Sequence, residues 1–417
     1  MWDTYSTASA NPSSTGPSNT GATSTRTSAT RSRPASAPSR TRRIPRPRSR
    51  ATRPARACRP RPSRRDLGLW SCGHNPGTAG CVSRERRKLS LARADRHAGS
   101  VAGDYDPFAV GRFPVDVLTQ QVPDRARDRL FPCEVWYPHQ VEADAPTARR
   151  PLVVYSHQAG GNRRSATFLC AHLASHGYVV AAMDHSEVVQ PSPSVEGESE
   201  TSRATRIQRI IADRVPDVLV LLDHLLAGAD DLHFDAQRIG LVGHSFGGWT
   251  ALATPDVDQR VCAVVAMAPG GTSHPKPGIL PLRLAFDWGR DVPTLYLAAE
   301  LDAPIAVEGI QEMFGRTPAT KRMFVLKRAD HQHFVDDVVG EHELMRSMSH
   351  TGDAAWLPAA MLPITQLCSA AAAHTFTRGL ALAHLDAHLR HDDAARRFLA
   401  GDVQRELTSR GVQAYQA

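Results

Sequence analysis

A chain of 417 residues has room for one large domain with additions or for two modest ones, and its 41% hydrophobic content is ordinary for a globular protein. No run approaches the 18 or so consecutive apolar residues of a membrane-spanning helix, so no transmembrane segment is expected. The net charge of +8 joins two unlike parts: residues 1–100 hold 21 Lys and Arg against 4 Asp and Glu, and the remainder hold 29 against 38, so no nucleic-acid partner is expected for the acidic remainder.

Residues 1–66 are almost wholly Ser, Thr, Ala, Pro and Arg, without apolar periodicity. Such a composition buries too little apolar surface to offset chain entropy, which predicts a disordered tail. Three readings stand for it: a basic arm (Arg26 to Arg65) for nucleic acid or anionic lipid, a targeting peptide, or a translated GC-rich leader. The last is suggested by the presence of only four lysines among 50 basic residues. No apolar signal region follows Arg65, so a cytoplasmic location is expected. Residues 67–104 read as a linker, and a folded domain is placed at 105–417. The seven cysteines are scattered without C-x-x-C spacing; Cys72 and Cys81 are the pair to consider in an oxidising compartment, and Cys262 reads as a small buried hydrophobe.

From residue 105 the pattern changes. Phe113 to Gln121 and Arg129 to Tyr137 read as strands separated by a charged turn, an antiparallel pair at a sheet edge. Short unbroken apolar runs, Pro151–Ser156 and Tyr178–Met183, predict strands buried on both faces. A helix from Ala166 to His176 joins them, and Arg206 to Leu226 predicts a long amphipathic helix with a kink at Pro216. Further strands are expected at Arg238–Val242, Arg260–Ala268, Val292–Ala298 and Lys321–Leu326, with a last helix over Ala370–Arg390. Buried strands alternating with helices predict an α/β fold with a mostly parallel sheet covered on both faces, its site at the carboxyl ends of the strands.

Strand Ile239–Val242 runs directly into Gly243-His-Ser-Phe-Gly247-Gly248, and a helix is expected from about Trp249. G-x-S-x-G between strand and helix is a nucleophile elbow: a strained turn lifts the serine hydroxyl above the sheet, and the glycines let the helix pass close by the strand. Ser245 is the candidate nucleophile.

The segments SHQAGG (156–161), HLASHGYVVAAMDH (172–185) and RIGLVGHSFGG (238–248), with CEVWYP upstream and ADHQHF (329–334) downstream, resemble the α/β-hydrolases. The similarity is to their platelet-activating-factor acetylhydrolase and dienelactone-hydrolase-like branch, and it covers roughly residues 105–400. It implies a metal-independent hydrolase of short acyl esters, including acetylated or oxidised phospholipids, with Ser245 as nucleophile and His331 as the histidine of the H-Q-x-F pattern. Two positions depart from the family. Its acid follows the strand after the nucleophile, where this chain has Ala266-Met267-Ala268, and its oxyanion loop reads H-G-x, where this chain has His157-Gln158-Ala159. Dienelactone hydrolases proper use cysteine where this chain has Ser245.

With no carboxylate at 266–268, Asp302 after the strand Val292–Ala298 is the candidate acid; Glu300, Asp287 and Asp291 are its rivals. His331 is the candidate base and His333 its competitor. His331, His333, Asp336, Asp337, Glu341 and His342 form a ligand-rich cluster, but H-x-H without a third ligand at regular spacing is weak evidence for metal, so neither metal nor cofactor is expected. The oxyanion donors are assigned to the backbone of Phe246 and Ala159, with Gly160-Gly161 allowing the tight loop. Gln158, His185, Trp249, Pro304 and Ile305 are expected to line the pocket, rimmed by Glu187–Thr205 and Gly270–Arg290. His384 and His388 read as a helix face. The partner expected is a small-molecule or lipid ester; a polyester substrate and an inactive binding protein of the same fold are the alternatives, and the oligomeric state is open.

Overall fold

A computed structural model describes residues 85–88, 105–139, 149–192, 197–228, 233–348 and 352–417. The expected disordered tail, most of the linker and the Cys72–Cys81 pair lie outside these residues. Among the described residues ten strands form one sheet: β1 (Glu85–Lys88), β2 (Val115–Asp124), β3 (Arg129–Pro138), β4 (Arg150–Ser156), β5 (Val179–Met183), β6 (Phe234–His244), β7 (Val261–Met267), β8 (Thr294–Ala299), β9 (Lys321–Leu326) and β10 (Ala414–Gln416). Their order is β1-β2-β3-β5-β4-β6-β7-β8-β9-β10. Strands β5, β4, β6, β7, β8 and β9 run parallel to their neighbours in that row, and antiparallel pairs flank them on both sides. The helices of eight or more residues are α1 (Thr167–Ser175), α2 (Glu200–Ala227), α3 (Phe246–Ala253), α4 (Val307–Arg316), α5 (Val338–Ser347), α6 (Ala370–Leu389) and α7 (Asp393–Ala400).

The unbroken apolar runs of the central strands follow from burial on both faces. Val153 and Tyr155 of β4 pack with α1 and α6, whereas Leu152 and Val154 pack on the opposite face with α2 and α3. Strand β8 divides likewise, Leu295 and Leu297 to one layer, Tyr296 and Ala298 to the other. A period of two with both partners apolar is what a sheet between two helical layers demands.

Helix α2 is longer than its apolar periodicity indicated. Ser199 accepts a hydrogen bond from the Ser202 backbone N–H at 3.1 Å, and this cap starts the helix six residues before Arg206. The polar residues 200–205, expected in a rim loop, are therefore its first turns, and the helix continues through Pro216. His384 of α6 is buried and bonds the Pro293 carbonyl at 3.1 Å, which ties that helix to the start of β8.

Candidate active site

Ser245 stands between β6 and α3 with φ 58° and ψ −114°, a conformation an L-residue holds only under constraint. The surroundings impose it. A Cβ on Gly243 would lie 2.0 Å from the Gly247 carbonyl oxygen, and one on Gly247 would lie 2.0 Å from that of Ser156. Only glycine at both positions lets helix, elbow and the end of β4 meet. The Ser245 N–H donates to the Met267 carbonyl at 2.9 Å, anchoring the turn to the end of β7.

His331 Nε2 lies 2.8 Å from Ser245 Oγ, and its Nδ1 lies 2.8 Å from Asp302 Oδ2. Asp302 Oδ1 accepts the Ile305 N–H at 2.7 Å, so the carboxylate is held from both sides. Burial pushes the Asp302 carboxyl above its ordinary range. Burial works against charge on the His331 ring too, but the adjacent Asp302 outweighs it and holds the imidazole above its usual value. The three side chains come from the ends of β6, β8 and β9. The rivals stand elsewhere: Glu300 accepts the Arg328 N–H at 2.9 Å, Asp291 accepts from Thr320, and Asp287 is exposed, with its backbone N–H donating to Asp256.

His333 has different partners. Its Nδ1 lies 3.1 Å from Asp330 Oδ1 and its Nε2 lies 3.2 Å from the Cys368 carbonyl. The Asp330 N–H, 3.0 Å from the same Nδ1, is a contact a neutral ring would accept. Two oxygen acceptors, one of them a carboxylate, favour the doubly protonated ring. Burial opposes that charge, but Asp330 and Cys368 carry the imidazole up to about 9. Three further members of the ligand-rich cluster also have partners. Asp336 accepts the Thr167 and Phe168 N–H groups at the start of α1, Asp337 caps α5, and His342 Nδ1 lies 2.6 Å from Asp330 Oδ2. Among the described residues no group of three or more His, Cys, Asp or Glu is arranged to hold a metal ion.

A cleft of about 160 Å³ opens over Ser245 and His331. Gln158, Pro304 and Ile305 line it, together with the two residues assigned as oxyanion donors, Ala159 and Phe246, and the Gly270–Arg290 segment contributes Ile279, Leu280 and Leu282. Two expected residues are not in its wall. Trp249 is buried in the helical layer, where its Nε1–H donates to the Arg283 carbonyl at 2.7 Å. His185 follows β5, two strands from β6, and its ring turns beneath the end of β4: Nε2 lies 2.8 Å from Ser156 Oγ and Nδ1 lies 3.2 Å from Asp217. This second Ser–His–Asp array is buried throughout, and Ser156 is not among the residues lining the cleft. Arg203, from the expected rim segment Glu187–Thr205, adds to the wall from α2; Met345 and Leu357, which sequence reasoning did not single out, add to it from α5 and the segment beyond.

Comparison with known proteins agrees with the family that the motifs resemble. Residues 138–190 match the family described as platelet-activating factor acetylhydrolase, isoform II; the match spans β4, the loop after it, α1 and β5. The chain is 27% identical over 224 residues to the platelet-activating factor acetylhydrolase of Cavia porcellus, covering 45% of this chain and 48% of the relative. The protein of that name from Canis lupus familiaris is 24% identical over 222 residues, with the same coverage. The chain thus spans about half the length of these curated relatives. A solved ferulic acid esterase from Streptomyces cinnamoneus aligns with TM-score 0.49 and 24% identity, over 70% of this chain and 93% of the esterase.

Proposed function

We propose that this relative of the platelet-activating factor acetylhydrolases is a serine esterase that works through an acyl-enzyme on Ser245. The observation that carries the reading is the chain of short contacts from Ser245 Oγ through the His331 ring to Asp302. In the proposed reaction His331 Nε2 takes the hydroxyl proton as Ser245 Oγ attacks the ester carbonyl. Asp302 fixes the ring with its proton on Nδ1 and stabilises the imidazolium that forms. The backbone N–H groups of Phe246 and Ala159 receive the negative charge on the carbonyl oxygen. The imidazolium then protonates the departing alcohol, and a water activated by the same ring hydrolyses the acyl-enzyme.

The apolar wall of Leu280, Leu282, Ile305 and Leu357 suits the hydrocarbon part of an ester. The names of the relatives point to a short acyl group, acetylated phospholipid included. The test is hydrolysis of p-nitrophenyl esters of increasing acyl length and of a 2-acetyl phospholipid, by the full chain and by Ser245→Ala. Turnover of acetyl esters that disappears in the variant supports the proposal; equal turnover by both proteins refutes it.

A further inference from the structure

The loop after β4 and the first residue of α3 supply the two proposed oxyanion donors, and one side chain touches both. Arg214 projects from α2 and is fully buried. Its guanidinium donates to the His157 carbonyl at 2.7 Å, makes a longer contact of 3.4 Å to the Gln158 carbonyl, and pairs with Glu187. The same guanidinium lies over the Phe246 ring, 4.0 Å from its centroid.

The Gln158 carbonyl is held further. The Gly161 N–H donates to it at 3.1 Å, and His157 Nδ1 lies 2.7 Å away. The His185 backbone N–H donates to His157 Nε2 at 3.2 Å, so the proton of the His157 ring is on Nδ1, facing that carbonyl. A trans peptide is planar, and its N–H points away from its C=O. Donors gathered on the Gln158 carbonyl therefore turn the Ala159 N–H away from Arg214. Ala159, Phe246 and Ser245 line one cleft.

We infer that Arg214 is a positioning residue of the oxyanion hole, orienting the Ala159 N–H through the loop carbonyls and packing the Phe246 ring so that its N–H faces the same point. The inference rests on the esterase reading. Buried charge is costly unless paired and hydrogen-bonded, and here the bonding goes to the loop whose orientation the reaction needs. The network extends to Asp217, one helical turn along α2, which accepts the Ser186 N–H and hydroxyl at 2.8 and 2.7 Å and pairs with Arg127. Through His185 it reaches Ser156, the last residue of β4, so the loop is fixed at its origin as well.

The test compares an aryl acetate with the matching aryl thionoacetate, in which C=S replaces C=O. Sulfur is larger and a weaker hydrogen-bond acceptor, so an oriented oxyanion hole favours the oxygen ester, and the ratio of the two rates reports that orientation. The ratio does not depend on the fraction of protein that is folded. Arg214→Met is made together with Glu187→Gln, so that no unpaired carboxylate is left; Arg214→Lys keeps the charge but loses the planar fork. The double variant is expected to lose about 10- to 100-fold in kcat on the oxygen ester with little change in KM. The thionoester should lose much less, so the ratio narrows, and Arg214→Lys should fall between. Equal losses on both esters, or a change confined to KM, would overturn the inference and leave Arg214 a purely structural residue. Should Ser245→Ala retain activity, it is the esterase reading that fails, whatever the ratio does.

Discussion

The Ser245 hydroxyl and the Asp302 carboxylate meet opposite nitrogens of one imidazole at the same 2.8 Å separation, although their residues stand 57 positions apart and leave the sheet from strands β6 and β8. Several outcomes depend on that relationship.

Ser245→Ala is expected to reduce ester hydrolysis to background and to abolish covalent labelling by a fluorophosphonate. Ser245→Gly should be equally inactive but more stable, because glycine accepts φ 58° without strain that costs on the order of 1–3 kcal/mol. Thermal melting of the two variants side by side checks this. A glycine variant that melts no higher than the alanine variant would show the elbow to be unstrained.

Asp302→Asn should lower kcat by roughly 10⁴-fold by leaving the imidazole in the wrong tautomer, and His331→Ala should cost about as much as loss of the serine. Glu300→Gln, Asp287→Asn and Asp291→Asn should stay within about threefold of wild type, since the carboxylates of Glu300 and Asp291 bond elsewhere and Asp287 is exposed. Steady-state kinetics on p-nitrophenyl acetate separates these cases.

The base must be unprotonated to act, and Asp302 raises His331 above the ordinary imidazole value of 6.5. The acid limb of the kcat/KM profile should therefore bend above that pH, with activity falling as pH drops through it. In Asp302→Asn the bend should move to lower pH, since the charge favouring the imidazolium is gone. A bend that stays in place would detach it from this pair.

His333 should govern stability instead. Its folded-state value, near 9, exceeds its ordinary 6.5. Its contribution is therefore fully present below about 6.5 and lost as pH rises through about 9, a difference on the order of 1–3 kcal/mol. His333→Gln should lower Tm at pH 6, flatten the decline between pH 6.5 and 9, and leave kcat within about tenfold of wild type. Melting curves across that range, with parallel kinetics, check both parts.

Much of this site was legible in the sequence because the sheet writes itself as short apolar runs, and Ser245, Asp302 and His331 each follow such a run. Trp249 and His185 were misplaced because nearness in the chain to a strand end says nothing of which way a side chain turns. The far wall was harder to read, since Met345 and Leu357 come from segments that only tertiary contact brings to the site. Arg214 left a usable signal. It shares the buried stripe of α2 with Ile210, Asp217, Val218 and Leu221. An arginine and an aspartate at i and i+3 on an apolar stripe mark charges that must find partners inside.

Between the strands that carry the serine and the aspartate lies β7, which ends in Met267 and is followed by Ala268, where the acetylhydrolases carry their acid. Here the carboxylate stands one strand further along and still meets the ring. Neighbouring strand ends are only about 5 Å apart, so a histidine on the next loop can be served from either. On the esterase reading proposed above, the acid has moved by one strand while the other two groups stay where they are. An alanine found at the usual place is then a prompt to look at the adjacent strand before the protein is judged inactive.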